Sequence, residues 1–244
     1  MNAIDLSDIC RSYKGKVVIS KISLSVEKGE FVSIIGPYGC GKTTLLKIIA
    51  GITEEYTGRV SIFGESPAKA KSDNLIGFGF QKPTLLPWLN VLENILLPGK
   101  LQGKDNEKKA KELLALIGLD KRENAKISEL SGGMQKMVSI IRSLTLNPGI
   151  LLLDEPFHSI DEISRDAIHD LVLKIHESTN RTTVLVTHSL VEAIYLSDKV
   201  VVLSRDPATI KAIVPIELSA RNNETKYSEE VLNYAQKLRK ILAS

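Results

Sequence analysis

The sequence predicts an α/β fold in which a mostly parallel sheet is covered by helices. In the second half of the chain, short apolar segments of strand length alternate with helical segments. The clearest strand is the all-apolar run at 150–153, whose composition is typical of a strand buried on both faces. The first 35 residues instead carry three strand-like segments without a helical segment between them. This order indicates extra strands before the alternating part begins.

The composition is that of an ordinary globular protein. The chain has 244 residues, of which 43% are hydrophobic and 25% charged, so disordered and fibrous classes are excluded. A net charge of +3 gives no strong basic field, and nucleic acid is not an expected partner. Two cysteines, Cys10 and Cys40, cannot form a disulfide framework and suit a reducing cytoplasm. No signal peptide and no apolar run near the ~18 residues of a membrane span is found, so work at a membrane would need a partner.

The predicted elements follow one another in a regular order. Strands are predicted at 3–9, 17–26, 31–35, 59–63, 75–80, 150–153, 183–187 and 199–203. Helices are predicted at 44–50, 105–119, after 131, at 163–176 and from about 190, and an amphipathic helix at about 228–243. Pro83, Pro87 and Pro98 predict a stretch without regular structure between the strands and the second helix.

A glycine-rich loop joins the strand at 31–35 to the following helix. Residues 36–43 read Gly-Pro-Tyr-Gly-Cys-Gly-Lys-Thr and fit the pattern G-x-x-x-x-G-K-[ST] in its required strand-to-helix context. Backbone N–H groups of such a loop surround phosphates, and the helix N-terminus favours an anion. Lys42 is predicted to meet the β- and γ-phosphates, Thr43 to bind Mg²⁺ and Thr44 to bond the α-phosphate. The phosphate-binding set is Gly36, Gly39, Cys40, Gly41, Lys42, Thr43 and Thr44. The same helix N-terminus predicts a thiolate at Cys40.

Two carboxylates, Asp154 and Glu155, follow the apolar strand at 150–153. The carboxyl ends of parallel strands form the ligand-binding edge of an α/β sheet. We therefore expect Asp154 to join the Mg²⁺ shell and Glu155 to act as the general base for the attacking water. An acidic solvated turn before Pro156 is the weaker interpretation, because the strand is so apolar.

A second helix N-terminus follows Leu130 and begins with Ser131, Gly132 and Gly133. One chain thus offers two helix ends suited to anions. Either this second end serves another subunit, or Ser131 is an ordinary N-cap followed by flexible glycines. The residues alone leave both interpretations open.

Seven motifs stand in the order typical of one family. They are Tyr13, the phosphate loop, Gln81, the segment 130–134, Asp154 with Glu155, Asp161 and His188. In this order the chain resembles, from about residue 3 to 205, the ATP-binding subunits of ABC transporters. The resemblance implies a P-loop NTPase fold, with 1–244 forming one domain. It also implies an antiparallel β part at the N-terminus and a helical insertion at about 83–145.

The resemblance also implies roles for the remaining residues. Tyr13 is expected to stack on adenine, Gln81 to reach the Mg²⁺ and the water, and His188 to contact the γ-phosphate. A head-to-tail homodimer is implied, in which Ser131 and Gly133 close over the ATP held by the other chain. The catalytic residues that the resemblance implies are Glu155, His188, Gln81 and Lys42. The expected metal ligands are Thr43, Gln81 and Asp154. The residues expected to bind ATP together with the phosphate loop are Tyr13, Ser131, Gly132, Gly133 and Asp161.

Residues 80–88, Phe-Gln-Lys-Pro-Thr-Leu-Leu-Pro-Trp, resemble more narrowly the nitrate, sulfonate and taurine importer subgroup. The expected function is an ATP-hydrolysing subunit on the cytoplasmic side of a prokaryotic membrane. Membrane-spanning permease subunits would be its direct partners, and a solute-binding protein an indirect one. The alternatives are a soluble ABC ATPase without a permease, and a regulatory module that binds ATP without hydrolysing it. The intact residues Lys42, Asp154, Glu155 and His188 oppose the last.

Three segments depart from the subgroup pattern. Tyr38 stands where Ser is usual, 135–137 read Gln-Lys-Met where basic and Gln residues are usual, and 158–160 read His-Ser-Ile where Gly-Ala-Leu is common. In the family's dimer, Tyr38 of one chain and 158–160 of the other would face each other. They are either a matched pair or two independent changes.

Overall fold

The computed structural model describes residues 1–158 and 160–244. The strands are β1 (Asn2–Tyr13), β2 (Lys16–Glu27), β3 (Phe31–Ile35), β4 (Thr57–Ile62), β5 (Ile76–Gly79), β6 (Ile150–Asp154), β7 (Thr182–Val186), β8 (Lys199–Leu203) and β9 (Ile210–Pro215). The helices are α1 (Lys42–Ile49), α2 (Pro67–Ser72), α3 (Val91–Leu101), α4 (Glu107–Leu116), α5 (Gly132–Arg142), α6 (Glu162–Thr179), α7 (Leu190–Leu196), α8 (Asn223–Lys226) and α9 (Glu229–Ala243). The expected α/β fold class is confirmed.

A six-stranded sheet forms the centre of the molecule, with the order β5-β6-β7-β3-β8-β9. Its first five strands are parallel, and only β9 runs antiparallel, beside β8. Every residue of β3, β6 and β7 is buried, as expected for apolar strands covered on both faces. Because β6, β7 and β3 are neighbours, their carboxyl ends place the phosphate loop, Asp154 and His188 at one edge.

The N-terminal strands form a separate antiparallel sheet with the order β2-β1-β4. Leu6 in the central strand pairs with Leu24 on one side and Val60 on the other. These side chains share a hydrophobic cluster with α1 and one face of the central sheet. The antiparallel part expected from the resemblance is therefore present.

Helices α3, α4 and α5 lie within the expected insertion and share a second hydrophobic cluster with α6. The prediction that prolines would exclude regular structure here was wrong for α3, which contains Pro98. Asn90 and Glu93 form a reciprocal capping box at its start, and Val91 and Ile95 are fully buried. Capping and burial outweigh the hydrogen bond that an internal proline removes.

The C-terminal segment packs onto the edge of the sheet formed by β8 and β9. The amphipathic helix predicted at about 228–243 is confirmed as α9, with Ser228 as its N-cap. Its buried residues Val231, Ala235 and Leu238 join a third cluster that includes α7. Strand β9 and the short helices α2 and α8 were not predicted. Within the described ranges, no helix combines the length and apolar composition needed to cross a membrane.

Candidate active site

The phosphate loop curves around the side chain of Lys42, the first residue of α1. Gly39 and Gly41 have left-handed backbones, with φ of 73° and 105°, which glycine adopts without strain. The Lys42 ammonium donates to the carbonyl oxygens of Gly36 and Pro37, each at 2.9 Å. Only 4% of Lys42 is exposed, and this burial lowers its pKa, while Cys40 and the nearby carboxylates oppose the shift. A single buried cation thus lies at the centre of the loop.

Asp154 ends β6 directly opposite Thr43. The Thr43 hydroxyl donates to Asp154 Oδ1 at 2.9 Å. Burial raises the pKa of Asp154, although the bond from Thr43 opposes this shift. A hydroxyl and a carboxylate at this spacing are oxygen ligands of the kind that Mg²⁺ prefers. A divalent cation at this point would compensate the buried negative charge.

Both carboxylate oxygens of Glu155 are contacted by nitrogen atoms of other side chains. His188 Nε2 lies 2.6 Å from Oε1, and Gln81 Nε2 donates to Oε2 at 3.0 Å. These three residues follow β6, β7 and β5, so parallel strand order brings them together. Glu155 has a left-handed backbone with φ of 45°, an uncommon conformation for a residue with a side chain. Its N–H donates to the carbonyl oxygen of Val186 at 2.9 Å, which supports that conformation.

A buried lysine on α5 connects the insertion to this group. The Lys136 ammonium donates to the carbonyl oxygen of Gln81. Burial lowers the pKa of Lys136, while Glu155 and Asp154 oppose the shift. Sequence reasoning missed this contact, because the two residues are 55 positions apart.

Tyr38 covers one side of the site and was noticed in the sequence only as a departure from a family pattern. Its ring lies 5.8 Å from the His188 ring, with 26° between the ring planes. The side chain is otherwise open, with 83% of its surface exposed. Tyr38 therefore has an aromatic partner within its own chain.

One cleft of about 250 Å³ brings together half of the predicted site residues. It is lined by Val18, Tyr38, Gly39, Gly41, Lys42, Thr43, Thr44, Gln81, Glu155 and His188. Val18 was not predicted, and no motif marks it. Tyr13 does not line this cleft; it lies 60% exposed at the end of β1, and its stacking role stays a prediction.

Cys40 corrects one expectation. Its side chain is buried in the cluster behind the loop. Burial raises the pKa of the Cys40 thiol, although Lys42 and nearby backbone groups oppose the shift. The predicted thiolate was therefore wrong, because burial outweighs the helix N-terminus. Any contact of Cys40 with a phosphate would have to use its backbone N–H.

The second helix end does not line the phosphate-loop cleft. Ser131 is the N-cap of α5, and its hydroxyl accepts from the N–H of Met134 at 3.3 Å. Gly132 faces open space, whereas a side chain at Gly133 would come within 2.9 Å of Ser164 Cβ. Gly133 thus permits close packing of α5 on α6, and Gly132 leaves the helix end uncovered.

Asp161 is the N-cap of α6. Its Oδ1 accepts from the N–H of Ser164 at 2.9 Å, and this bond lowers the pKa of Asp161. Asp161 does not line the phosphate-loop cleft. Ser159, part of the unusual segment at 158–160, lies outside the described residues.

A phosphate loop with a buried lysine, facing two carboxylates at the carboxyl edge of a parallel sheet, defines a P-loop nucleotide hydrolase. Comparisons with known proteins give the family. Residues 19–158 match the family model described as ABC transporter. The chain belongs to this family, and it is an ATPase.

Curated relatives extend the similarity over most of the chain. It is 41% identical over 215 residues to the aliphatic sulfonates import ATP-binding protein SsuB of Bacillus thuringiensis, covering 88% of this chain and 85% of that protein. It is 36% identical over 224 residues to the taurine import ATP-binding protein TauB of Escherichia coli O157:H7, covering 89% of this chain and 86% of that protein.

A solved structure with a similar fold is the dimeric ATP-binding cassette MJ0796 bound to ADP and Pi. Its TM-score is 0.78 at 31% identity, covering 88% of this chain and 99% of that chain.

Proposed function

We propose that the chain is the ATP-hydrolysing subunit of an importer for a small sulfonate or taurine-type solute. The observation that carries the hydrolytic part is the position of Glu155, held by Gln81 and His188 at the mouth of the phosphate loop. The names of the curated relatives, which match more than four fifths of the chain, support the importer and the solute class.

In this proposal each residue of the cleft has a separate role. Lys42 and the loop N–H groups hold the β- and γ-phosphates, and Thr44 bonds the α-phosphate. Glu155 orients and deprotonates the attacking water, and His188 and Gln81 fix its carboxylate while contacting the γ-phosphate region. Thr43, Asp154 and Gln81 would hold Mg²⁺, which neutralises charge on the phosphates. Mg²⁺ sites in such enzymes use few protein ligands, because waters and substrate phosphate oxygens supply the remaining ligands.

We further propose that the active form is a homodimer in which α5 of one chain covers the ATP of the other. Ser131 and Gly132 stand at an uncovered helix N-terminus outside their own chain's cleft. A helix N-terminus stabilises an anion that binds at that end. The dimeric state of the similar cassette supports this arrangement.

The permease would contact a groove beside Gln81. This groove of about 250 Å³ lies between β5, α3 and the end of α5. Phe80 contributes to its lining and is 38% exposed, and its ring packs 4.5 Å from that of Phe78. Apolar side chains exposed in a groove favour a protein partner. Docking here would place the chain at the cytoplasmic side of the membrane.

Co-purification from membranes tests the coupling. We expect a tagged chain to carry a polytopic membrane protein with it, and the variant Phe80→Ser to lose that partner and at least about tenfold of solute uptake, because a central apolar contact is removed. ATPase activity of the purified chain should stay within about twofold of the parent. Leu116→Ser, which removes an exposed apolar side chain from α4, is the matched control. It should change neither the co-purification of the membrane partner nor solute uptake. Association with a soluble complex only would favour the alternative, a soluble ABC ATPase.

The pairing of Tyr38 with the segment at 158–160 of a second chain also stays a prediction. A double-mutant cycle with Tyr38→Ser and His158→Gly tests it, with ATP-dependent dimer affinity as the measurement. Contact across the interface predicts a coupling energy of ~0.5–3 kcal/mol, and independent changes add within ~0.5 kcal/mol. Tyr38→Phe retains the ring that stacks on His188 within one chain and serves as the control.

A further inference from the structure

A buried polar cluster connects the C-terminal segment to the loop that carries His188. Its members come from three helices and the loop that follows β7, and they are far more buried than such side chains usually are. They are Lys226 at the end of α8, His169 on α6, Glu192 on α7 and Thr187 directly after β7. Lys226 is 5% exposed and His169 only 1%. The proposed ATPase chemistry uses none of these four side chains.

Lys226 fixes the orientation of His169. The Lys226 ammonium contacts the Asp166 carboxylate and lies 3.0 Å from His169 Nδ1. An ammonium can only donate, so Nδ1 accepts and the ring proton is on Nε2. His169 Nε2 lies 3.7 Å from Glu192 Oε1. This spacing is longer than a hydrogen bond, and Nε2 has no hydrogen-bond partner among the described residues, so the contact between the two groups is electrostatic. The edge-on packing of the ring against Phe157, with centroids 4.4 Å apart, holds this orientation.

Glu192 in turn holds the loop at 187–189 from both sides of His188. Its Oε2 accepts from the Thr187 hydroxyl, and the Thr187 oxygen accepts from the N–H of Ser189 at 3.1 Å. His188, between these two residues, contacts Glu155. Phe157, which packs on His169, follows Glu155 by two positions. The cluster therefore supports both residues of the His188–Glu155 pair.

We propose that Lys226 is a positioning residue for ATP hydrolysis, acting through His169 and Glu192 on the loop that carries His188. The C-terminal segment, anchored by α9, thereby sets the rate of turnover. Loss of the ammonium leaves His169 and Asp166 without their shared donor, and buried polar groups shift to regain partners. A small displacement of His188 is sufficient to slow a reaction that depends on its geometry. This inference rests on the role proposed above for His188.

The variant Lys226→Met tests the inference, because it keeps the length of the side chain and removes the charge. We expect kcat to fall about tenfold while KM for ATP stays within about twofold, since the phosphate loop is not touched. Lys226→Arg should restore most of kcat, because it returns a cationic donor. Lys237→Met, at an exposed position on α9, is the matched control and should behave as the parent. All rates are measured at a temperature where thermal melts show every variant folded.

The isosteric change Glu192→Gln provides a second, independent test that does not depend on the folding of Lys226→Met. It should lower kcat with KM unchanged, and the double variant should be no slower than the slower single variant if both act through one cluster. Parental kcat in Lys226→Met, or losses that multiply in the double variant, would overturn the inference. His188→Ala separates the two proposals. If His188→Ala hydrolyses ATP at the parental rate, the proposed role of His188 is wrong. If His188→Ala is slow but Lys226→Met hydrolyses ATP at the parental rate, the role of His188 stands and only the inference about Lys226 is wrong.

Discussion

Replacing Glu155 with glutamine should lower ATP hydrolysis by about 10²–10⁴ while ATP binding is retained. Glutamine has nearly the same size and keeps one oxygen to accept from Gln81 or His188. It cannot take a proton from the attacking water. Because opening of the dimer is expected to follow hydrolysis, ATP should hold Glu155→Gln chains in the closed dimer. Steady-state ATPase assays, equilibrium ATP binding and gel filtration with ATP measure the three effects.

The matched control is Glu217→Gln, which makes the same change at an exposed carboxylate beyond β9. It should hydrolyse ATP at the parental rate. Parental activity in Glu155→Gln would show that the base is another group. Loss of ATP binding would instead show that Glu155 supports the phosphate loop and is not the base.

Ser131→Arg should abolish ATP-driven dimerisation and lower hydrolysis by about 10² or more, since a long cation would fill the helix end that is proposed to face the γ-phosphate. Each chain should still bind ATP normally, because Ser131 does not line its own chain's cleft. Equilibrium ATP-binding assays measure the binding of ATP to each chain, and sedimentation with ATP measures dimerisation.

Ser131 is also a helix cap, and loss of such a cap costs about 1 kcal/mol of stability. Ser66→Arg therefore serves as the control, because Ser66 caps α2 through the same bond, accepted from the N–H of Lys69 at 3.3 Å. It should dimerise and hydrolyse ATP like the parent. Equal losses in both variants would assign the effect to capping and not to a shared site.

Strands buried on both faces were the most predictable part of the fold. The bounds of β3 and β8 match the prediction, because uninterrupted apolar runs of strand length have few other stable environments in a domain of this size. Helix α3 was missed because Pro98 indicates a break, and the capping box at Asn90 that offsets it was not considered. Strand β9 was missed because an edge strand is only partly buried and gives a weak pattern.

In the site, as in the fold, features that depend on neighbouring residues in the sequence could be predicted, and features that depend on contacts between distant residues could not. The phosphate loop and the Asp154-Glu155 pair are contiguous motifs in a strand context, so their chemistry could be predicted from the residues alone. The stacking of Tyr38 on His188 and the contact of Lys226 with His169 could not be predicted. They join residues far apart in sequence, 57 positions for the second pair, and depend on how the elements pack.

The central claim is that two chains share each ATP site, and mixing two inactive variants tests it most directly. Lys42→Ala removes the buried cation of the phosphate loop, and Ser131→Arg blocks the helix end. Each variant alone should be nearly inactive. In a mixed dimer, one site combines an intact loop with an intact Ser131, and the other site carries both changes. An equal mixture should therefore recover up to about a quarter of parental ATPase activity if the two sites of a symmetric dimer act independently. No recovery at any mixing ratio, or full activity of Ser131→Arg as a monomer, would contradict the shared site.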